Sequence, residues 1–373
     1  MRKVLFLTES RGWSGGARQL LHLAGGLKRL GWDIALACPP GGDIFDRAKA
    51  DGFAPVPFEP RQDYDVFCAR RLAKTIDERG VDIVHAHHPR AHAVGLIAMY
   101  LASRKPAFVV TRRVSFPIKR NPFSKLKYTS SRITRFIAVA ESIRQILIDS
   151  GVPSRRVVTI PSGVDLEQFR PAPKDEALAK LLRLEPGVPV IGLVANFGPW
   201  KGQDVFCRAA GLLKRRGRRA VYLFAGRDTD GPALKEMAAK EGLGEADVRF
   251  LGFFADVPKL LSLLDVSVNA STEGEGLSGA LRESLAMEIP VIASDIGGNR
   301  ELVQEGKTGR LFLVGDADTL SRILEETISN PAAAKALARA GRAEVEKRFS
   351  VDHMISATAE LYETLVARNV GSA

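Results

Sequence analysis

Short apolar runs of strand length alternate with amphipathic stretches of helix length along almost the whole chain, and this alternation leaves few folds open. Strand-like runs fall at 4–8, 34–38, 54–58, 83–87, 108–111, 136–139 and 157–160, with helical patterns such as 19–30 and 90–103 between them. Repeated strand–helix–strand units argue for a mostly parallel sheet with helices on both faces. The segment 161–171, PSGVDLEQFRP, carries turn formers at both ends and reads as a linker. A second series of strands follows at 190–194, 221–225, 248–250, 266–269 and 291–293, and the chain is helical in pattern from 333 to 367 with a break near Phe349. The expectation is an α/β chain of two Rossmann-like domains, 1–163 and 164–351, a division that 373 residues also suggest.

Apolar residues make up 45% of the sequence, as in ordinary globular proteins. The longest apolar stretches, such as 93–102, are too short to span a bilayer, and the N-terminus shows no signal-peptide pattern, so a cytoplasmic location is expected. Cys38, Cys68 and Cys207 are far apart and form no C-x-x-C pair, and they read as core thiols. The formal charge of +11 is unevenly spread: no Asp or Glu occurs from 83 to 140. In that window Arg112, Arg113, Lys119, Arg120, Lys125, Lys127, Arg132 and Arg135 interleave with Phe116, Ile118, Phe123, Leu126 and Tyr128. This mixture suits peripheral contact with an anionic membrane through 112–135, each basic residue being worth about 1 kcal/mol near anionic lipid. The plainer reading is a solvated basic face. Nucleic acid is not expected, because no nucleic-acid-binding motif accompanies the charge.

The segment 266–302 combines an apolar strand, an acidic glycine-bearing loop and a helical pattern with Leu281, Leu285 and Ala286 on one face. Glu275 precedes the helix and Glu283 lies within it, about two turns and roughly 10–12 Å of rise apart, so they are not expected to share a proton. The loop from Glu275 to Gly279 can present backbone N–H groups at a helix N-terminus, where a phosphate is favoured. Glu275-Gly276-Leu277, then Glu283-Ser284, then Pro290-Val291-Ile292-Ala293-Ser294 resemble the E-x7-E signature of retaining GT-B glycosyltransferases, family 4 in particular. The 161–169 segment resembles that family's P-x-G-V-D-x-x-x-F hinge.

The resemblance implies two facing Rossmann-like domains with a central cleft, and a C-terminal helix at about 352–373 that packs back onto the first domain. Glu283 would bind the ribose hydroxyls, Glu275 would orient the donor sugar, and Gly276, Leu277, Ser278 and Lys201 would hold the diphosphate. Asp82-Ile83-Val84-His85-Ala86-His87 matches the family's D-[IV]-V-H-x-H, which gives His87, ahead of His88, contact with the reacting sugar. Gly15 and Gly16, in a glycine turn after the first strand, would lie near the donor phosphates and acceptor; they do not form a G-x-G-x-x-G motif, which counts against a nicotinamide cofactor. Asn196 stands where the family usually has an arginine in V-G-R-x-x-x-x-K-G, which removes one expected cation. Gly226 and Arg227, at a strand end, would flank the nucleotide. Phe253 or Phe254 is expected in the core, with contact to the base as the other possibility.

Together these features imply a retaining glycosyltransferase, with His87, Glu275 and Lys201 at the reaction and Gly15, Gly16, Asn196, Gly226, Arg227, Gly276, Leu277, Ser278 and Glu283 on the donor. The donor would be a UDP-, GDP- or ADP-sugar, with no cofactor. No metal is implied, Asp228-Thr229-Asp230 falling in a glycine-rich turn. The acceptor would be a glycan or a lipid-linked hydroxyl compound, as in lipopolysaccharide or other envelope glycoconjugate synthesis, and the protein would sit in the cytoplasm or at the inner face of the membrane. A sugar-nucleotide epimerase is the alternative enzyme class. A non-catalytic sugar-nucleotide or polyanion binder is the alternative kept open by Asn196.

Overall fold

The computed structural model describes residues 2–118 and 121–370, so Lys119 and Arg120 of the basic window lie outside the described residues. The chain divides into two compact units, unit 1 being 1–163 with 351–373 and unit 2 being 164–350.

Unit 1 begins β1 (Lys3–Leu7), α1 (Gly15–Arg29), β2 (Asp33–Cys38), α2 (Asp43–Ala50) and β3 (Pro55–Pro57). It continues α3 (Val66–Arg79), β4 (Ile83–Ala86), α4 (Pro89–Leu101) and β5 (Ala107–Arg112). Then come α5 (Pro122–Thr129), β6 (Arg135–Ala138), α6 (Glu141–Asp149) and β7 (Val157–Thr159). The sheet is parallel throughout, in the order β3-β2-β1-β4-β5-β6-β7.

Unit 2 runs α7 (Glu176–Leu181), β8 (Val190–Val194), α8 (Gln203–Arg215), β9 (Val221–Ala225), α9 (Pro232–Lys240) and β10 (Val248–Phe250). Next are α10 (Val257–Leu261), β11 (Val266–Asn269), α11 (Gly279–Ala286), β12 (Val291–Ser294) and α12 (Gly297–Leu302). It closes with β13 (Arg310–Phe312), α13 (Ala317–Ser329) and α14 (Pro331–Arg348), and α15 (Val351–Val370) returns to unit 1. This sheet is also parallel, ordered β10-β9-β8-β11-β12-β13. Strand β13 is a sixth strand that the sequence pattern does not announce, because three residues are too few to display a period of two.

Helix α1 shows how the layers form. Ser14 caps it by accepting a hydrogen bond from the Ala17 N–H, and Leu20, Leu23, Ala24 and Leu27 make its buried stripe. That stripe meets Phe6 and Ile34 of the sheet and Ile355, Tyr362 and Leu365 of α15 in one apolar cluster. Tyr362 is fully buried, so the last helix belongs to the core of unit 1. A matching cluster in unit 2 joins Phe206 of α8 to Tyr222 and Phe224 of β9 and Leu320 of α13. Fully burying each such side chain stabilises by about 1.5–3 kcal/mol.

Candidate active site

In each sheet the strand order reverses once, between β1 and β4 in unit 1 and between β8 and β11 in unit 2. Open parallel sheets bind ligands beyond the carboxyl ends of the strands at such points, because the loops there diverge to opposite faces. The residues singled out by the sequence gather at these two edges.

In unit 2 the loop after β8 carries Asn196 and Lys201, and the loop after β11 carries Glu275 to Ser278. The Thr272 N–H donates to Trp200 O at 2.9 Å and ties the two loops together. Lys201 Nζ lies 2.5 Å from Glu275 Oε1, and Ser271 Oγ donates to the same oxygen at 2.8 Å. Both partners are largely shielded, their side chains being 25% and 11% exposed, which strengthens the pair relative to one in open water. Asn269, the last residue of β11, donates through Nδ2 to Ser278 Oγ and accepts at Oδ1 from the Ser271 N–H and Asn299 Nδ2. Ser278 in turn caps α11, accepting from the Leu281 N–H. One strand-end amide therefore holds the acidic loop, the helix start and α12 in register.

The Gly276–Ser278 backbone packs so tightly on α12 that a Cβ built on Gly298 would stand 1.6 Å from Gly276 O. Any side chain at 298 displaces the loop. The helix reaches back only to Gly279, so Glu275 stands off it and the expected two turns of helical rise do not separate the carboxylates. Glu283 is buried, and its Oε1 lies 3.7 Å from where a Gly279 Cβ would sit, so the carboxylate turns back toward the first turn of α11.

Asn196 has a structural task. Its Oδ1 accepts from the Arg227 N–H at 3.0 Å, and Gln203 Nε2 donates to its carbonyl at 3.0 Å. Gly226, at φ 144°, leaves no room for a side chain beside Ala195 O. The ends of β8 and β9 are thereby locked together, with the Arg227 guanidinium 5.8 Å from the centre of the Phe253 ring. Phe253 is 60% exposed, which corrects the expectation of a core role: it follows a three-residue strand and finds no apolar layer to enter. The Asp228–Asp230 segment is a turn, with Thr229 Oγ1 donating to Gly226 O.

In unit 1, His85 and His87 leave β4 on the same face, their rings 4.1 Å apart. His85 is fully satisfied: Nδ1 lies 2.5 Å from Tyr362 Oη and Nε2 lies 2.6 Å from Thr111 Oγ1. His87 is only 4% exposed, and neither of its ring nitrogens has a hydrogen-bond partner among the described residues. Burial first, then the nearby charges of His85, Arg113 and His88, hold its pKa well below the ordinary histidine value. His88 Nδ1 pairs with Thr8 Oγ1 at 2.8 Å. The Glu9 carboxylate accepts from the Arg90 and Ala91 N–H groups and fills the N-terminus of α4. Gly15 and Gly16 open α1, and the space where a Gly15 side chain would stand is empty to 4 Å.

The profile of Glycosyltransferase Family 4 matches residues 13–168, and that of Glycosyl transferases group 1 matches 188–330. EpsD of Bacillus subtilis, whose assignment as a glycosyltransferase is itself provisional, is 30% identical over 90% of both chains. The chain belongs to glycosyltransferase family 4. A second relative of this glycosyltransferase is the Escherichia coli UDP-Gal:alpha-D-GlcNAc-diphosphoundecaprenol alpha-1,3-galactosyltransferase, 28% identical over 69% of this chain and 70% of that one. Among solved structures, Anabaena HepE in complex with UDP and glucose superposes with a TM-score of 0.85 at 22% identity, covering 98% of this chain and all of that one. The two Rossmann-like units are those of the GT-B fold.

The basic window of the family 4 enzyme is less uniform than its sequence suggests. Arg112 is buried and donates from Nη1 to Tyr128 Oη at 2.7 Å. Lys127 Nζ donates to Pro89 O at 2.6 Å and pairs with Asp63 at 3.4 Å. These two cations brace α5 against its own unit and are not free for an anionic surface, because each has found an oxygen partner within the fold. Lys125 of α5 remains exposed. So do Phe123 at 85% and Leu126 at 63%, and α5 buries no residue. Sequence reasoning missed Asn269 and Asn299 at the acidic loop, and Thr8 beside His88 in unit 1. A polar residue ending an apolar strand is the one signal that could have found Asn269.

Proposed function

We propose that this glycosyltransferase moves a sugar from a nucleoside diphosphate to a hydroxyl acceptor with retention of configuration. The observation that carries the reading is the Lys201–Glu275 pair, fixed over a loop whose backbone opens α11 at Ser278. A helix start supplies N–H groups and a positive dipole end to a diphosphate, and the Lys201 ammonium neutralises charge as the phosphate departs. Glu275, held by Ser271 and Lys201, is positioned to accept a hydrogen bond from a hydroxyl of the donor sugar. Glu283 is the acceptor for the ribose hydroxyls, and Arg227 with Phe253 offers a cation and an exposed ring to the nucleotide. His87 contacts the transferred sugar, its neutral ring ready to accept from one hydroxyl and donate to another. The leaving phosphate helps deprotonate the acceptor on the same face, so no carboxylate nucleophile is needed, and positioning provides most of the rate.

The acceptor in this reading is lipid-linked, as in envelope glycoconjugate synthesis. Phe123, Leu126 and Lys125 project from α5, and Asp63 joins that helix to a segment carrying exposed Tyr64 and Phe67. Beside α5 lies a depression of about 660 Å³ lined by Ile118, Pro122, Tyr128 and Ile146. Inserted apolar side chains and a cationic rim together suit an anionic bilayer.

Thermal unfolding with UDP-, GDP-, ADP- and CMP-sugars, comparing wild type with Glu283→Ala, tests the donor site. One nucleotide class should raise the midpoint in the wild type only. Stabilisation that survives in Glu283→Ala would remove that residue from the site. NMR of the product then reads the anomeric configuration, and an isomerised sugar nucleotide formed without acceptor would mean epimerisation instead.

A further inference from the structure

The backbone of His87 is fixed, because its N–H donates to Leu7 O of β1 at 3.0 Å. The imidazole is held differently. It is more than nine-tenths buried and makes no hydrogen bond among the described residues. It packs instead against two other rings, that of His85 at 4.1 Å between centroids with a tilt of 41°, and that of Phe6 at 5.2 Å with a tilt of 52°. A side chain without hydrogen bonds takes its orientation from its neighbours, so the rigidity of His85 and Phe6 decides how well His87 is aimed.

Phe6 is fully buried in the apolar cluster of unit 1, whereas the ring of His85 is pinned by polar groups. Tyr362 Oη meets its Nδ1 at 2.5 Å and Thr111 Oγ1 meets its Nε2 at 2.6 Å. Burial keeps this imidazole neutral at neutral pH, so one nitrogen carries the proton and the other accepts. The phenol is the more acidic of the two hydroxyls, so Tyr362 donates to Nδ1 and the Nε2–H donates to Thr111 Oγ1. A bond at each edge fixes both the tautomer and the tilt of the ring. The clamp is itself immobile. Thr111 lies in β5, which pairs with β4, and Tyr362 is fully buried on α15 with its ring edge-on to His85 at 5.9 Å and to Trp32 at 5.6 Å. A phenylalanine at 362 would fill the same apolar space, and what the tyrosine hydroxyl adds is the bond to His85.

We propose that Tyr362 and Thr111 are positioning residues for His87, acting through His85: α15 and β5 clamp the His85 ring, and that ring sets the plane in which His87 meets the transferred sugar. The proposal rests on reading the chain as a glycosyltransferase whose His87 contacts that sugar, and it adds two buried residues that stand behind the contact. Aim matters for a group that acts by hydrogen bonding to a reacting sugar, since a misplacement of about 1 Å can lower a rate 10²-fold.

The test reads His87 directly. Histidine-ring 15N spectra of the full-length protein, labelled with 15N-histidine, are recorded without ligand for wild type, Tyr362→Phe, Thr111→Val and Thr111→Ser, with His87→Ala and His92→Gln assigning two of the rings. The His87 signals should move in Tyr362→Phe and Thr111→Val and return close to their wild-type positions in Thr111→Ser, which keeps the hydroxyl. His92, packed against Phe108, Tyr128 and Phe136, should stay in place, which separates loss of aim from general loosening. In a turnover assay with the sugar nucleotide that stabilises the wild type, Tyr362→Phe and Thr111→Val should each lower kcat ~10-fold with donor KM held within about 2-fold, because in this reading the nucleotide is bound by unit 2. In a His87→Ala background the same substitutions should have no further effect on kcat, as expected of residues that act through one side chain. Thermal unfolding establishes that each variant is folded at the assay temperature, and Thr111→Val against Thr111→Ser carries the comparison should Tyr362→Phe be unstable. His87 signals unmoved by the loss of either hydroxyl, or a kcat loss of equal factor with and without His87, overturns the proposal. Absence of turnover in the wild type would instead count against the glycosyltransferase reading, and the ring spectra, which need no substrate, would still decide whether the two hydroxyls set the His87 ring.

Discussion

The two units use one plan, a parallel sheet whose order reverses once, and equip the reversal point in opposite ways. Unit 2, with no histidine and nearly balanced charge, builds an acidic loop in which Glu275, Ser271, Asn269, Ser278 and Asn299 are linked by hydrogen bonds, with Asn299 Oδ1 alone among them left without a partner among the described residues. Unit 1 holds all six histidines and the whole excess of positive charge, and leaves both ring nitrogens of His87 without a hydrogen-bond partner among the described residues. The difference shows that a shared fold fixes where a site can form, while the residues at the strand ends decide how densely its polar groups are bonded to one another in the free chain. A satisfied network holds its geometry without ligand; an orphaned buried ring is stabilised when a ligand arrives.

The sharpest way to break this comparison is at Lys201. Lys201→Met should lower kcat by about 10²–10³-fold, the usual loss when one preorganised charge-stabilising donor is removed. A turnover assay with the stabilising sugar nucleotide reads it, and an unchanged kcat would mean that the acidic-loop network of unit 2 is scaffolding alone.

Acid should separate the units next. Burial lowers the pKa of His85, His87, His88 and His92 in the folded chain, so below about pH 6.5 the unfolded chain binds protons that the folded one does not. Stability is complete above that pH and falls as the pH drops toward the folded values, by about 1.4 kcal/mol per pH unit for each imidazole. Hydrogen exchange between pH 7 and 5, followed segment by segment, should show β1, β4 and β5 losing protection before β8 and β11. Equal loss in both units would contradict the contrast.

A smaller effect distinguishes the two buried tyrosines. Tyr362→Phe removes the partner of His85 Nδ1 and should cost about 1–3 kcal/mol. Tyr222→Phe in unit 2 gives up only a 3.4 Å contact to Ala210 O and should cost under about 0.5 kcal/mol. Urea unfolding of both variants gives the two values. In unit 2, Asn196→Ala should cost about 0.5–1.5 kcal/mol by freeing the Arg227 backbone, with a rise of a few-fold in donor KM. A large loss of kcat there would give Asn196 a direct role at the phosphates.

Much of the architecture was legible in advance because period-2 and period-3.6 apolar patterns are local. Strands such as β8, β9 and β11 fall where the apolar runs lie, and the glycines and glutamates of 275–283 mark a loop entering a helix. The three-residue β13 was not legible, and neither was the exposure of Phe253, since an aromatic after a strand reads alike whether or not a layer covers it. Nor could the sequence tell that Arg112 and Lys127, two cations in an acid-free window, are consumed by Tyr128, Pro89 and Asp63. The sequence by itself determined the alternation, the place of the break between units and the residue types at the strand ends. Only the tertiary structure decided which of those residues meet: Tyr362 reaches His85 across 277 positions, and Arg113 reaches Gly16 from another loop. Pattern is carried by neighbours in the chain, whereas hydrogen-bond satisfaction depends on neighbours in space.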